Sequence, residues 1–137
     1  MQTIIMTIKP YHLRNIRMGI KKGELRKSFP KIELPFRVLL CESGSGGQIK
    51  AEFTCRDILA IDTPSPYFSS VLCLREQEIV DYLDGKTGYV WGVSDVVDYC
   101  CTKGYRIRNI SEFGVLRSPR TWQHAMMLPD DWKEGKL

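Results

Sequence analysis

One stretch, residues 8–31, constrains most strongly how this chain folds. A run of β-branched and apolar residues ends at Ile8, and Pro10 then begins a short helix that ends at Gly19. Beyond Gly19, apolar and polar side chains alternate, which predicts a strand over 22–29. A helix of about nine residues does not persist alone in water, so this unit must pack against a larger core.

The same region carries most of the positive charge. Residues 1–31 contain eight Lys and Arg residues against one acid, Glu24, for a net charge of +7. Because the whole chain carries +4, residues 32–137 carry a net charge of −3. A positive field confined to one region indicates an anionic partner, and RNA or a nucleotide is the first candidate.

The length and composition fit one domain with one hydrophobic core. The chain has 137 residues, of which 43% are hydrophobic. We expect a single domain over residues 1–128 and a charged, frayed tail over 129–137. No apolar run approaches the length that spans a membrane, and residues 1–8 are too short and too polar for the hydrophobic region of a signal peptide, so we expect none. We therefore expect a cytoplasmic protein with no membrane partner.

The five cysteines do not form a metal-binding pattern. The sequence has no C-x-x-C pair, and neither His12 nor His124 stands at zinc-finger spacing. An odd number of cysteines without a signal peptide indicates free thiols in a reducing compartment. We expect no metal and no other cofactor, while the oligomeric state stays open.

Hydrophobic periodicity predicts a mainly β protein of the α+β class. Two helices are expected, over 10–18 and 74–83, with a loop over 62–70. The predicted strands cover 2–8, 22–29, 36–42, 48–61, 89–99 and 122–128. About six strands joined by short turns favour a small, partly closed β-barrel with two flanking helices.

The residues after the first helix resemble the hallmark of the ASCH domain family. That hallmark is written G-x-K-x-x-E-x-R and follows an I-x-P helix start, which Ile8 and Pro10 supply. Its four fixed positions are filled by Gly19, Lys21, Glu24 and Arg26. The later segments 89–91 and 119–122 resemble the aromatic strand and the closing P-x-x-W of the family. The resemblance covers about residues 4–128.

The resemblance implies a PUA-like barrel with a basic cleft between the barrel and the first helix. The family is associated with the binding of RNA or modified nucleotides, so we expect the same class of ligand. Basic residues would supply charge, Glu24 and Ser94 would orient the ligand, and Trp122 would stack on a base. The expected ligand-binding residues are Lys9, Lys21, Glu24, Arg26, Lys27, Ser94 and Trp122.

The resemblance also implies an alternative function, a nucleotide- or RNA-directed hydrolase. Some members of the family are enzymes, an amidohydrolase and a ribonuclease, with a lysine at the position of Lys21. In this chain Lys21 and Glu24 would then form a proton-transfer pair. Glu24 replaces the threonine of the amidohydrolase, and Gly92 stands where similar sequences often carry histidine. Both departures argue against the known chemistries, and whether the protein is an enzyme stays open.

Each of these residues also has a plain structural interpretation. If it binds no ligand, Lys21 is an exposed loop lysine. Glu24 and Arg26 then form a local ion pair on one strand face. Trp91 is expected in the core, and Ser94 otherwise bonds only the next strand. A third interpretation of the whole chain is a small interaction domain in which the hallmark marks the fold and nothing more.

Overall fold

A computed structural model describes residues 1–132, which form nine β-strands, three α-helices and one 3-10 helix. The first strands are β1 (Thr3–Ile8), β2 (Gly23–Arg26), β3 (Phe36–Glu42), β4 (Gln48–Cys55) and β5 (Ile58–Ile61). The later strands are β6 (Gly88–Gly92), β7 (Ser94–Asp98), β8 (Arg108–Asn109) and β9 (Trp122–His124). The helices are α1 (Pro10–Arg17), α2 (Pro66–Leu72), α3 (Glu76–Leu83) and the 3-10 helix Ile110–Phe113.

The strands form two sheets. Sheet A has the order β7-β4-β3-β1-β9, with β8 also paired to β4. Within it β1 runs parallel to β3, and the other neighbours are antiparallel. Sheet B has the antiparallel order β2-β6-β5. The predicted α+β, mainly β class is confirmed, but residues 1–132 contain nine strands and three α-helices where the sequence predicted about six and two.

Two of the predicted strands each divide between the sheets. The predicted strand 48–61 breaks after β4, and the predicted strand 89–99 breaks at Val93 between β6 and β7. The two breaks lie together, because the Gly92 amide donates to the Asp57 carbonyl over 2.9 Å. The single-strand predictions were wrong because apolar residues are dense on both sides of each break, so the hydrophobic pattern does not mark it.

The prediction of a loop over 62–70 was also wrong, because α2 begins there. The Ser65 hydroxyl accepts a hydrogen bond from the Phe68 amide over 3.2 Å, and Pro66 occupies the first turn. A serine cap followed by proline is a helix start. The Pro- and Ser-rich sequence of this segment fits a turn equally well. Only the packing of α2 against sheet B decides between a turn and a helix.

Both faces of sheet A are buried. Alternate residues of β1 and β3 pack against α1 and the fully buried Trp91, which lies in the core as predicted. The intervening residues form a second cluster with Phe113 of the 3-10 helix. Sheet B packs its outer face against α2 and α3. All four residues of β2 are buried, including the charged Glu24 and Arg26.

The start of the predicted tail packs on the second face of sheet A. The Trp132 ring lies 5.4 Å from the Arg37 guanidinium and 5.7 Å from that of Arg108. Asp131 accepts a hydrogen bond from Arg108 over 2.8 Å. The rest of the predicted tail, residues 133–137, lies outside the described residues. The three α-helices of residues 1–132 have eight residues at most, too short to cross a membrane.

Candidate functional site

A cavity of about 390 Å³ lies where the end of β1, the start of α1, β2 and α3 meet. Its charged lining residues come from separate parts of the chain, and cations outnumber acids. The cations are Lys9, Lys21, Arg26 and Arg120, and the acids are Glu24 and Glu78. Four of the seven residues predicted to bind a ligand thus share one cavity.

Lys21 reaches the cavity because α1 ends sharply. Gly19 adopts a positive φ of 76°, and the Asn15 carbonyl accepts from the amides of Ile20 and Lys21 over 2.9 and 3.0 Å. The chain then turns directly into β2. The Lys21 side chain is only 1% exposed, so it is not the exposed loop lysine of the plain interpretation. Its ammonium donates to the Leu72 carbonyl.

The Leu72 carbonyl is near enough to accept that bond because α2 packs tightly on β2 at Gly23. A Cβ atom at Gly23 would lie 2.7 Å from Cγ1 of Val90 and 2.9 Å from Cγ1 of Val71. Next to it, the Lys22 amide donates to the Val71 carbonyl over 2.9 Å. The absence of a side chain at residue 23 therefore sets the distance between the end of α2 and Lys21.

Glu24 links Lys21 to Arg26. Its Oε1 atom lies 3.3 Å from the Lys21 ammonium, and its Oε2 atom accepts from Nε of Arg26 over 2.8 Å. The contact between Glu24 and Arg26 is the ion pair that the plain interpretation expected, but both residues are less than a tenth exposed. The small energy of a surface ion pair therefore does not apply to it.

Arg26 also ties β2 to two other segments. Its Nη2 atom donates to the Thr7 carbonyl over 2.8 Å, at the end of β1. Its Nη1 atom lies 3.0 Å from Oγ1 and 3.4 Å from the carbonyl oxygen of Thr121, just before β9. Arg26 therefore contacts β2, the end of β1 and the residue before β9, and it also lines the cavity.

Burial and charge shift the pKa values of this cluster. Burial lowers the pKa of the Lys21 ammonium, although Glu24 acts in the opposite direction. Burial by itself would raise the pKa of the Glu24 carboxyl, but Arg26 and Lys21 together outweigh it and hold that pKa below its ordinary value. Glu24 is thus an ionised carboxylate between the side chains of Lys21 and Arg26.

The other residues that line the cavity were not predicted from the sequence, and His12 and Tyr82 carry its two polar rings. His12 lines it, and its Nδ1 atom is buried without a hydrogen-bond partner among residues 1–132. Burial, and then the charge of Lys21, lower the pKa of His12. Tyr82 contributes from α3. His12, on α1, stands three residues after Lys9, which immediately precedes the helix, and this spacing is the signal that places both side chains on one side of it.

The other three predicted residues do not line the cavity. Lys27 lies beside it, with Nζ 5.0 Å from the ring centre of the cavity-lining Tyr82. The Ser94 hydroxyl donates to the Thr54 carbonyl on the neighbouring strand over 2.8 Å. The Trp122 indole donates to the Ser28 hydroxyl over 3.1 Å. Strand order separates Ser94 from Trp122, because β7 and β9 lie at opposite edges of sheet A.

The described residues offer no alternative centre for metal chemistry. No group of three or more His, Cys, Asp or Glu side chains in residues 1–132 is placed to hold a metal ion. All five cysteines are free. Two of them, Cys41 and Cys55, have raised pKa values, chiefly because they are buried, so neither is a reactive thiolate.

Comparisons with known proteins identify the fold. No protein-family model matches the sequence, and no curated protein matches it either. The structure is similar to that of ASCH from Zymomonas mobilis, at 16% identity and a TM-score of 0.67 over 90% of this chain and 87% of that one.

Two mutants of that protein are more similar in structure, both at a TM-score of 0.74 and 17% identity. The serine-to-alanine mutant matches over 87% of its length and the tyrosine-to-phenylalanine mutant over 90%, each against 90% of this chain. The chain therefore has the ASCH fold, as the hallmark residues 19–26 predicted.

Proposed function

We propose that this protein binds RNA or a nucleotide in the cavity beside α1. The observation that carries the proposal is the lining itself, with four cations against two acids around about 390 Å³. Small-molecule sites commonly enclose roughly 300–1,000 Å³, so this cavity suits one nucleotide better than a longer segment. The ASCH fold supports the proposal, because the family resemblance implies ligands of this class.

In this proposal the buried cluster forms the polar floor of the site. The Glu24 carboxylate accepts from Lys21 and Arg26, and its remaining lone pairs suit an exocyclic amine of a base. Low exposure strengthens such contacts, because water does not compete for them. A free nucleotide, or a base turned out of a single strand, would enter while its phosphate stays near the cations.

The three predicted residues outside the cavity have secondary roles in this proposal. Lys27 beside Tyr82 adds positive charge near the cavity and attracts the ligand over a distance. The hydroxyl of Ser94 and the indole of Trp122 are each already hydrogen-bonded to a neighbouring segment. Contact of Ser94 or Trp122 with RNA would therefore require a strand that extends beyond the cavity.

The proposal is tested by fluorescence anisotropy. The probe is a labelled five-nucleotide single-stranded RNA, and binding is measured at two salt concentrations. Lys9→Ala should weaken binding and lower the slope of log affinity against log salt by about one, since one phosphate contact is lost. Lys22→Ala is the matched control, because Lys22 is exposed and lies outside the cavity. Absence of binding to the unmodified protein at low salt would reject RNA as the ligand.

One observation favours the second candidate, a nucleotide- or RNA-directed hydrolase. Lys21 is buried, has a lowered pKa and contacts Glu24, an arrangement suited to proton transfer. His12 adds an imidazole group to the cavity. Gly92, which stands where similar sequences often carry histidine, cannot supply one. Incubation with RNA and with acylated nucleosides would reveal turnover. A hydrolase should lose turnover in Glu24→Gln at a temperature where thermal unfolding shows that the variant is still folded, while Glu33→Gln, at an exposed carboxylate, keeps it.

A further inference from the structure

We infer that Arg120 is the arginine that contacts the phosphate of the ligand, and that Arg26 is a positioning residue for the segment carrying Arg120. The inference rests on the proposed function, because it assigns the contacts of the same cavity. It departs from the sequence prediction, in which Arg26 itself binds the ligand. The inference depends on how the hydrogen-bond donors of the two side chains are used.

Every donor of Arg26 already has an acceptor within the protein. A guanidinium group carries five N–H donors. Nε bonds Glu24, Nη2 lies 2.8 Å from both Glu24 and the Thr7 carbonyl, and Nη1 lies near two oxygens of Thr121. Arg26 is also about 9% exposed. A phosphate could bind it only by displacing contacts that are buried and charge-assisted.

These contacts hold the end of β1, β2 and the approach to β9 together. The Thr7 amide donates to the Thr121 carbonyl over 3.0 Å, so β1 and residue 121 are joined directly as well as through Arg26. Arg120 precedes Thr121 in the chain. The guanidinium of Arg26 therefore determines where the backbone of Arg120 lies, at the edge of the cavity.

Arg120 is in the opposite situation from Arg26. It is exposed, it lines the cavity, and it forms no ion pair or side-chain hydrogen bond with the rest of residues 1–132. Lys9, at the start of α1, is likewise exposed and lines the same cavity. A guanidinium with unused donors can bind two phosphate oxygens at once, and a nearby ammonium adds charge. The chemical class recognised here is a nucleotide phosphate, as a monoester or as a diester in RNA.

Three single substitutions in the full chain test the inference: Arg120→Ala, Arg26→Ala and the matched control Arg117→Ala. Arg117 is an exposed arginine of the same segment that does not line the cavity. Each variant is measured by anisotropy with the labelled five-nucleotide RNA, over a salt series, and by thermal unfolding. Arg26→Lys is added, because it keeps the charge but loses the planar fork.

The expected pattern separates contact from positioning. Arg120→Ala should weaken binding about fivefold or more and lower the salt slope by about one, with an unchanged unfolding temperature. Arg26→Ala and Arg26→Lys should both lower the unfolding temperature by several degrees, because neither can bridge the three segments. Arg117→Ala should resemble the unmodified protein in both measurements.

Three outcomes would overturn the inference, and they are distinguishable. If the unmodified protein binds RNA but Arg120→Ala keeps its affinity and salt slope, the assignment of Arg120 fails while the proposed function stands. If Arg26→Lys has the unfolding temperature and the RNA affinity of the unmodified protein, the positioning role of Arg26 fails while the proposed function stands. If the unmodified protein binds neither the RNA nor a nucleoside monophosphate at low salt, the proposed function fails and the role of Arg120 fails with it.

Discussion

The Lys21 ammonium lies 3.3 Å from one carboxylate oxygen of Glu24, while Arg26 binds the other oxygen. The three residues form a continuous chain of charge with almost no exposure to solvent. Removal of the central carboxylate would leave two buried cations without their shared partner. Buried ion pairs contribute little beyond an apolar replacement, but the loss of one partner alone is strongly destabilising.

Glu24→Gln should therefore lower the free energy of unfolding by about 3–5 kcal/mol. The amide keeps the shape of the side chain but leaves Lys21 and Arg26 facing each other without a neutralising charge. Urea denaturation measures the effect. The control is Glu33→Gln, at an exposed carboxylate, which should change the free energy by less than about 0.5 kcal/mol. Equal stability of the two variants would contradict the buried cluster.

The stability of the protein should depend on pH through Glu24. The pKa of this carboxyl is below its ordinary value of 4.5 in the folded state, so the folded protein binds fewer protons than the unfolded chain at acidic pH. The contribution of Glu24 is therefore complete above the ordinary pKa and is lost as pH falls from about 5 towards the folded pKa.

Denaturation of the protein and of Glu24→Gln at several pH values between 3 and 6 would measure this contribution. Other acids with lowered pKa values, such as Asp98 and Glu112, act in both proteins and cancel in the difference. The difference in unfolding free energy should shrink as the pH is lowered. A difference that is independent of pH would show that Glu24 is not ionised in the fold.

Gly23→Ala should destabilise the protein by about 1–3 kcal/mol, because the added methyl group overlaps Val90 and Val71. A double-mutant cycle with Val90→Ala tests the cause, since the smaller residue makes room for the methyl group. The double variant should be more stable than the sum of the single effects predicts, by about 0.5 kcal/mol or more. Strict additivity would mean that residue 23 acts through the backbone instead.

Trp132→Ala should lower the free energy of unfolding by about 2 kcal/mol, because the indole packs against two guanidinium groups and the edge of Phe113. Trp132→Phe keeps an aromatic ring at this position and should restore a large part of the loss. Chemical denaturation measures both variants. No effect of Trp132→Ala would support the frayed tail that the sequence predicts from residue 129.

The sequence predicts the elements in which a hydrophobic pattern coincides with a clear boundary. Proline and glycine mark α1, and the run before the Ser- and Gly-rich turn marks β3 and its hairpin with β4. The chain passes from sheet A to sheet B at residues 56–57 and back to sheet A at residue 93, and neither passage has such a mark. Hydrophobic periodicity and composition indicate where a single strand lies. Which sheet the strand joins depends on contacts between distant segments of the chain.

The residues of the cavity were predictable only in part. The spacing of Lys21, Glu24 and Arg26 indicates a shared location, but alternation on β2 fits a solvated face as well as a buried one. Lys21 is covered by the end of α2, which was not predicted, and Arg26 by the end of β1 and the residues before β9. Arg120 and His12 come from segments whose approach to β2 depends on the tertiary fold, so local patterns do not connect them to the hallmark.

The tight contact at Gly23 has a consequence for how the basicity of Lys21 can evolve. The carbonyl partner of this lysine belongs to α2, and the position of α2 depends on the small size of residue 23. Substitutions at the outer helix–sheet interface, such as at Val71 or Val90, would move that carbonyl and change the local dielectric without touching the cavity. Selection can therefore adjust the proton affinity of the site through packing, while every residue that faces the ligand stays the same.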